Sequence, residues 1–211
     1  MWNVILKASY ETLYMVFFST LFSVILGFIP AIILVLTSPD GLKPNKPVYE
    51  TLSLLVNIFR SFPFIILMVI LIPFTRLLVG RAIGTKAAVV PLTISAIPFI
   101  ARVFESSLRE VDPGVIEAAK SFGASDLQII RRVYLKEGLP AMISGITLLI
   151  INLLGYSAMG GAIGAGGIGD VALRYGYQQY KIEYLIVTSI ILILFVQLVQ
   201  MIGNFIYKKL S

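Results

Sequence analysis

The sequence predicts an all-α integral membrane protein: five transmembrane helices, with a water-exposed helical hairpin between the third and the fourth. Three observations predict this fold. Of the 211 residues, 58% are hydrophobic and only 13% are charged. The mean hydropathy of +0.93 lies outside the range of soluble globular domains. Long uncharged runs separate the charges, and several exceed the roughly 20 residues that cross a bilayer as a helix. We expect one domain over residues 1–211.

The first two spans differ in how clearly the charges delimit them. The first is predicted over Thr12–Leu36, in a run free of charges, with Pro30 placed to kink it. Ser61–Thr75 is only 15 residues long, about 22 Å as a helix, which is too short to span. The second span is therefore expected to begin before Arg60, near Ser53. Arg60 either snorkels to an interface or contributes to an aqueous path.

The remaining spans follow in order. The third is predicted to begin at Ala87 and to run past Arg102, with two internal prolines bending it. The fourth is placed at Leu139–Met159, inside an uncharged run, and the fifth at Tyr184–Tyr207. An odd number of spans puts the two termini on opposite faces of the membrane.

The segment between spans three and four has the signals of two short capped helices. Asp112 is a predicted N-cap, Pro113 suits the first helical position, and Gly123 suits a left-handed C-terminal stop. Ser125 and Gln128 form a predicted capping box for the second helix, which is expected to end at Gly138-Leu139-Pro140. Apolar residues at helical spacing should form one face of each helix: Val111, Val115, Ala119 and Phe122, then Leu127, Ile130 and Tyr134.

The basic residues favour a cytoplasmic location for residues 102–138. That orientation places ten Lys and Arg residues inside and six outside, as the positive-inside rule prefers. It also puts the N-terminus outside and the C-terminus in the cytoplasm. The inside set is Lys43, Lys46, Arg102, Arg109, Lys120, Arg131, Arg132, Lys136, Lys208 and Lys209; the outside set is Lys7, Arg76, Arg81, Lys86, Arg174 and Lys181.

The composition argues against catalysis and metal binding by this chain. There is no cysteine and no histidine, so disulfides, thiolate chemistry and the Ser-His-Asp arrangement are excluded. Four acids, Glu105, Glu110, Asp112 and Glu117, are expected to form a charged, solvated helix surface. The net charge of +6 suits anionic lipid headgroups, and no concentrated basic patch indicates nucleic acid. No cleavable signal peptide is expected, because the first apolar run is too long.

A glycine-rich stretch matches a nucleotide-binding pattern without its context. Residues 164–169 read G-x-G-x-x-G, but a predicted membrane helix precedes them where the dinucleotide motif needs a strand. Gly160 and Gly164 form a small-xxx-small pair, which favours close helix packing. A hinged gate remains an alternative for the cluster as a whole.

The hairpin resembles the cytoplasmic loop motif of ABC importer permeases. The resemblance rests on Glu117-Ala118-Ala119 followed by Gly123, with Val133 at the motif's isoleucine and Leu135 at its leucine; Lys136 replaces the proline. Further blocks resemble the methionine-type (MetI-like) permeases over most of the chain. These blocks are residues 57–66, 72–76, 97–102 and 155–162.

The resemblance implies a type I ABC importer permease fold with a coupling-helix hairpin at about residues 103–138. It implies a bacterial plasma-membrane homodimer with two ATP-binding cassette subunits and a substrate-binding lipoprotein. ATP and Mg²⁺ would bind the partner ATPase, and this chain would bind no cofactor. The implied cargo is methionine, its D-isomer or an analogue, with another small amino acid or polar solute as the alternative. The ATPase-coupling contact would consist of Glu117, Ala118, Ala119, Gly123 and Ala124.

We further expect small and polar residues near the end of span four to line or gate a path, because they interrupt an apolar span. These residues are Tyr156, Ser157, Met159, Gly160 and Gly161.

Two other functional classes of membrane protein remain open. A stand-alone channel or ion-driven carrier would usually show acidic or histidine relays inside its spans. A membrane scaffold would show no flux.

Overall fold

A computed structural model describes residues 1–210, and this part of the chain is helical without strands. Its elements in order are α1 (Trp2–Thr37), α2 (Lys46–Arg60), α3 (Phe64–Ile70), α4 (Ile72–Val79), α5 (Thr85–Arg109), α6 (Pro113–Ser121), α7 (Asp126–Ile129), α8 (Leu135–Glu137), α9 (Leu139–Gly161), α10 (Gly167–Val171) and α11 (Ile182–Leu210). Two π-helical turns, Ile130–Tyr134 and Ala172–Tyr177, follow α7 and α10.

Four of these helices are long and apolar enough to cross a membrane: α1, α5, α9 and α11. They confirm the predicted first, third, fourth and fifth spans; α1 begins ten residues earlier than predicted, at Trp2, and α9 and α11 extend a few residues beyond the predicted bounds. α1 continues through Pro30, and α5 continues through both of its prolines. The all-helical fold with up to five spans is therefore confirmed.

The second span differs from the single helix predicted between Ser53 and Thr75. α2 ends at Arg60, and α3 leaves it at an angle of 98°. The physical reason is Pro63, which has no N–H to donate and disfavours helical geometry at the residue before it. The chain breaks again at Leu71, one residue before α4. This span is thus a bent pair of helices, and Arg60 lies exposed at the bend.

The core of the bundle lies where α1 and α9 pack on the two sides of α5. α1 and α5 make the most extensive contact between any two described helices. Large buried side chains from all three fill this region: Met15, Leu92, Ile100, Phe104, Leu149 and Leu153. α11 packs at the edge, because only Thr188 and Gly203 along its described length are buried. Much of the apolar surface of this bundle is therefore left for lipid or another protein.

Two sets of contacts define the ends of the bundle. At one end, Lys43 pairs with Asp126 at 3.2 Å, and the last turn of α11 borders the same cavity as Lys136. At the other end, Gly84 N–H donates to the Gly164 carbonyl at 3.0 Å, and Gly167 N–H donates to Glu11 at 2.9 Å. The hairpin and the end of α11 therefore lie opposite the beginning of α1.

Candidate functional site

The first helix of the hairpin has the caps that the sequence predicts. Asp112 Oδ1 accepts a hydrogen bond from Gly114 N–H at 2.7 Å, and Pro113 is the first residue of α6. Gly123 has φ of +78°, a left-handed conformation that side chains with a Cβ adopt only with strain. These features fix where the helix starts and where the chain turns.

The second helix begins at the predicted capping box. Ser125 N–H donates to Gln128 Oε1 at 2.8 Å, and Gln128 N–H donates to Ser125 Oγ at 3.4 Å. α7 then continues through the π-helical turn and α8 to Glu137, close to the predicted end. Both hairpin helices therefore have side-chain caps that give their first backbone N–H groups partners and define where each helix begins.

The apolar faces of the hairpin helices agree with the prediction only in part. Val111 is buried and Ala119 packs against the core, but Val115 and Phe122 are 44% and 91% exposed. Ile116 packs inward instead. The error arose from counting helical spacing from Val111, which precedes the N-cap and therefore lies outside the helix. In the second helix, Leu127 is likewise exposed, whereas Ile130 and Tyr134 pack against the core.

An apolar line runs along the exposed side of α6. It consists of Val115, Ala118 and Phe122, which follow one another at helical spacing, and we call it the outer line. No residue of α6 is fully buried against the rest of residues 1–210, although Ile116 and Ala119 pack partly against the core. The outer line is apolar, yet it lies on a segment rich in charge at the end of the bundle. Such a surface is typical of a site that another protein covers.

The predicted coupling residues divide into two groups. Glu117, Ala118 and Gly123 are exposed and present a surface to solvent. Ala119 and Ala124 are half-buried against the core, and Ala124 N–H donates to the Ala119 carbonyl at 3.0 Å. The second pair therefore closes the turn between the two helices instead of facing outward.

One of the four acids expected on a solvated surface is buried. Glu105 is 2% exposed, while Glu110, Asp112 and Glu117 are exposed as predicted. Glu105 accepts hydrogen bonds from Arg102 at 2.7 Å and from Tyr49 Oη at 3.0 Å. The sequence signal was available, because Arg102 and Arg109 lie three and four residues away on the same helical face.

A small polar cavity lies between the end of α1 and α6. It is lined by Asp40, Arg109, Glu117, Lys120 and Tyr134, among others. Burial raises the pKa of the Tyr134 phenol, and the nearby positive charge of Arg109 opposes that shift. Tyr134 is therefore neutral at physiological pH.

The predicted gate residues also divide into two groups. Ser157 is buried and donates to the Leu154 carbonyl at 2.8 Å. Gly160 and Gly161 are also buried: Gly160 lies near Met68 of α3 and Ala165, and a Cβ on Gly161 would overlap the backbone of Asp170 in α10. Tyr156 stacks on Phe64 of α3 with 4.8 Å between ring centroids, and Met159 is 48% exposed.

The glycine-rich stretch forms a turn between α9 and α10, with positive φ at Gly164, Gly166 and Gly167. Two residues of α1 hold this turn. Glu11 accepts from Gly167 N–H, and Thr12 Oγ1 accepts from Ile168 N–H, both at 2.9 Å. Sequence reasoning missed this clamp, because its partners are 156 residues apart.

An exposed stripe along α9 was also missed. Leu148, Asn152, Gly155 and Met159 are exposed, and their spacing places them on one face of the helix. Asn152 lies near the middle of this span, where a polar side chain facing hydrocarbon is costly. The signal was visible in the sequence as the one amide in the uncharged run of residues 138–169.

The chain matches a known protein family and several named relatives over most of its length. Residues 23–211 match the family model described as binding-protein-dependent transport system inner membrane component. The chain is 48% identical over 209 residues to the probable D-methionine transport system permease protein MetI of Vibrio cholerae, covering 99% of this chain and 93% of that protein. It is 46% identical to the methionine import system permease protein MetP of Bacillus subtilis, covering 98% and 91% of the two chains.

Solved structures show the same fold. A chain of the MetNI methionine ABC transporter in an inward-facing conformation superimposes with a TM-score of 0.98 at 44% identity, covering 100% of this chain and 98% of that one. A chain of an amino acid ABC transporter superimposes with a TM-score of 0.81 at 20% identity, covering 98% and 94%. The second likeness concerns the fold alone.

Proposed function

Because the chain belongs to the family of binding-protein-dependent transport system inner membrane components, we propose that it is the permease subunit of an ATP-driven importer that moves methionine into the cytoplasm. Its relatives in Vibrio cholerae and Bacillus subtilis are named as methionine permeases and match it over nearly its whole length. A homologous transporter structure at 44% identity is a methionine ABC transporter. D-methionine and other small amino acids are the alternative cargoes.

The observation that carries this proposal is the capped hairpin with its outer line. A rigid helical element with an apolar surface and no buried residue in α6 is suited to seat in a cleft of another subunit. We propose that the subunit is a separate cytoplasmic ATPase that binds ATP and Mg²⁺. A rigid lever passes the motion of that ATPase to the spans, whereas a flexible loop would absorb it.

In this proposal, five exposed residues of the hairpin contact the ATPase directly: Val115, Glu117, Ala118, Phe122 and Gly123. Ala118 suits a close contact because its side chain is small. Ala119 and Ala124 support the contact from behind by holding the turn against the core. The hairpin end of the bundle is then cytoplasmic, with the N-terminus outside and the C-terminus inside.

The exposed stripe of α9 is proposed to line the path between two copies of this chain. An amide such as Asn152 can accept from the ammonium and donate to the carboxylate of an amino acid. Met159 and Tyr156 lie at the same end of α9 as the turn at 164–167 and would narrow the path there. Ser157, Gly160 and Gly161 act by packing, because they are buried. A substrate-binding lipoprotein would deliver cargo at this outer end.

The test is ATP-driven uptake by the reconstituted transporter. The chain is purified together with its ATPase and binding protein, placed in proteoliposomes and supplied with labelled L-methionine. We expect uptake that requires ATP and is reduced by excess D-methionine or unlabelled L-methionine. Flux through the chain alone would indicate a channel or carrier, and ATP-independent binding without flux would indicate a scaffold. Either result would contradict the proposal.

A variant pair tests the hairpin within the same assay. Gly123→Val places a β-branched residue at φ of +78° and should reduce uptake at least about tenfold, because the turn of the hairpin is strained. Gly80→Val is the control: Gly80 has φ of +77° and no heavy atom within 4 Å of an added Cβ, but it follows α4 outside the hairpin, so uptake should stay near wild type. Wild-type uptake by Gly123→Val would contradict the coupling role.

A further inference from the structure

An ionic network with a buried carboxylate at its centre ties α2 to the last two turns of α5, immediately before the hairpin. Its centre is Glu105, which is 2% exposed. Arg102 Nη1 donates to Glu105 Oε2 at 2.7 Å, and Tyr49 Oη donates to Glu105 Oε1 at 3.0 Å. Arg109 lies 3.8 Å from the same carboxylate. Two bases on α5 and one phenol on α2 therefore converge on one buried acid.

The network continues along α2 through Arg102. Its Nη2 donates to Ser53 Oγ at 2.7 Å and to Asn57 Oδ1 at 3.0 Å. One guanidinium thus holds two residues of α2 and the carboxylate of its own helix, which its planar fork of donors allows. Lysine offers a single nitrogen and cannot reproduce this arrangement.

Apolar packing contributes little to the attachment of α2. Within the described chain, Val56 is its only buried residue, in a small cluster with Leu34 and Ala101. Most of the large apolar side chains of α2 are exposed. The attachment of α2 to α5 therefore includes directional hydrogen bonds that involve Tyr49, Ser53 and Asn57, beside this small apolar cluster.

The network also reaches the loop that precedes α2 and the hairpin that follows α5. Arg109 Nη1 donates to Tyr49 Oη at 3.3 Å, and Arg109 Nη2 lies 3.6 Å from Asp40. Lys43 of the same loop pairs with Asp126 at the start of α7. The loop, α2, the end of α5 and the hairpin are thus joined at one end of the bundle.

At its other end, α2 leads directly into the candidate gate. The chain bends by 98° after Arg60, and α3 begins with Phe64, whose ring stacks on Tyr156 of α9. Met68 of α3 also lies near Gly160, with its Sδ 3.5 Å from where a Cβ would be. A displacement of α2 would therefore move α3 against the end of α9.

We propose that Glu105 is a positioning residue that makes α2 and the end of α5 move as one body with the coupling hairpin. Motion imposed on α6 passes through α5 and the Glu105 network to α2, and from there to the contact of Phe64 with Tyr156. This inference rests on the proposed function, because it supplies the mechanical connection between the ATPase contact and the gate. The connection consists of one carboxylate, that of Glu105, and the hydrogen-bond donors of Arg102, Arg109 and Tyr49 that surround it.

Glu105→Gln and Arg102→Lys test the proposal in the complete transporter. Each removes part of the network while nearly preserving side-chain volume. We expect assembled complexes with ATP hydrolysis within about twofold of wild type and uptake reduced about tenfold or more, so that less cargo moves per ATP. Glu50→Gln is the matched control, because it removes an exposed ion pair of α2 with Lys46. It should keep the wild-type ratio of uptake to hydrolysis.

A covalent link gives a second measurement, and in the otherwise wild-type transporter it does not depend on those variants assembling. Val56→Cys and Ala101→Cys place thiols in one apolar cluster between α2 and α5, and the natural chain has no cysteine. A short thiol cross-link between them should leave wild-type uptake intact and restore uptake to Glu105→Gln, because it replaces the connection that the network provides.

Two outcomes would overturn the inference. The first is a wild-type ratio of uptake to hydrolysis in Glu105→Gln. The second is inhibition of the otherwise wild-type transporter by the cross-link, which would show that α2 must slide on α5. Failure of the proposed function is distinguishable from both, since it would appear as no ATP-dependent uptake by the unmodified complex.

Discussion

At the scale of single residues, the hairpin separates side chains that hold the fold from side chains left for a partner. Ala119 and Ile116 pack against the core, whereas Phe122 is 91% exposed at the end of α6. An aromatic ring exposed to this extent contributes little to the stability of the isolated chain. Buried at the centre of an interface, the same ring would contribute strongly to association.

Phe122→Ala should therefore affect association much more than stability. We expect a change in unfolding free energy within about 0.5 kcal/mol, as is usual at the surface. Affinity for the ATPase should fall by about 2 kcal/mol or more, roughly 30-fold. Thermal unfolding and a binding titration of the detergent-solubilised chain measure the two effects. Trp2→Ala, 62% exposed at the opposite end of the bundle, is the control and should alter neither. Unchanged ATPase affinity in Phe122→Ala would remove the outer line from the interface.

At the scale of secondary-structure elements, the close contact between α9 and α10 depends on glycines that lie directly against the backbone of the other helix. A Cβ on Gly161 would overlap the backbone at Asp170, and one on Gly169 would overlap the backbone at Ala158. These two glycines interlock α9 with α10 and leave no flexible side chain that could move aside. Gly155 of the same helix has no heavy atom within 4 Å of an added Cβ.

Gly161→Ala should thus lower the stability of the α9–α10 contact by about 2–4 kcal/mol, in the range of severe overpacking. Gly155→Ala, on the exposed stripe of α9, should be neutral or should stabilise by up to about 1 kcal/mol, because alanine favours the helix. Midpoints of thermal unfolding in one detergent compare the pair directly. Equal midpoints would mean that α10 shifts to make room, and that the contact is not as rigid as we infer.

At the scale of the whole molecule, the contacts at both ends of the bundle place the two termini apart. The beginning of α1 is held near the turn at 164–167, and the end of α11 lies beside the hairpin. Together with the excess of basic residues at the hairpin end, this arrangement predicts an external N-terminus and a cytoplasmic C-terminus.

Single cysteines test this orientation cleanly, since the chain has none of its own. A membrane-impermeant thiol reagent should label Lys7→Cys in intact cells from which any outer membrane has been removed. Lys208→Cys should be labelled only after the membrane is opened. The reverse pattern would place the hairpin outside and would contradict an ATPase contact in the cytoplasm.

The physical requirements of the bilayer explain why the positions of most spans could be predicted from the sequence by itself. Crossing hydrocarbon requires long uncharged helices, so the runs around Thr12–Leu36 and Leu139–Met159 predicted their spans directly. Caps are equally local, since Asp112, Gly123 and the Ser125–Gln128 box satisfy backbone groups a few residues away. The ABC permease motif lies in that same local segment.

Tertiary structure alone decided the features that depend on distant partners. Glu105 accepts a hydrogen bond from Tyr49 on another helix, and the glycine turn is held by Glu11 from the beginning of the chain. The stacking of Phe64 on Tyr156 likewise reflects packing that no short window of sequence contains. Local hydrogen bonds and hydropathy are encoded by neighbouring residues, whereas a buried charge is stable only where the fold brings its partners together.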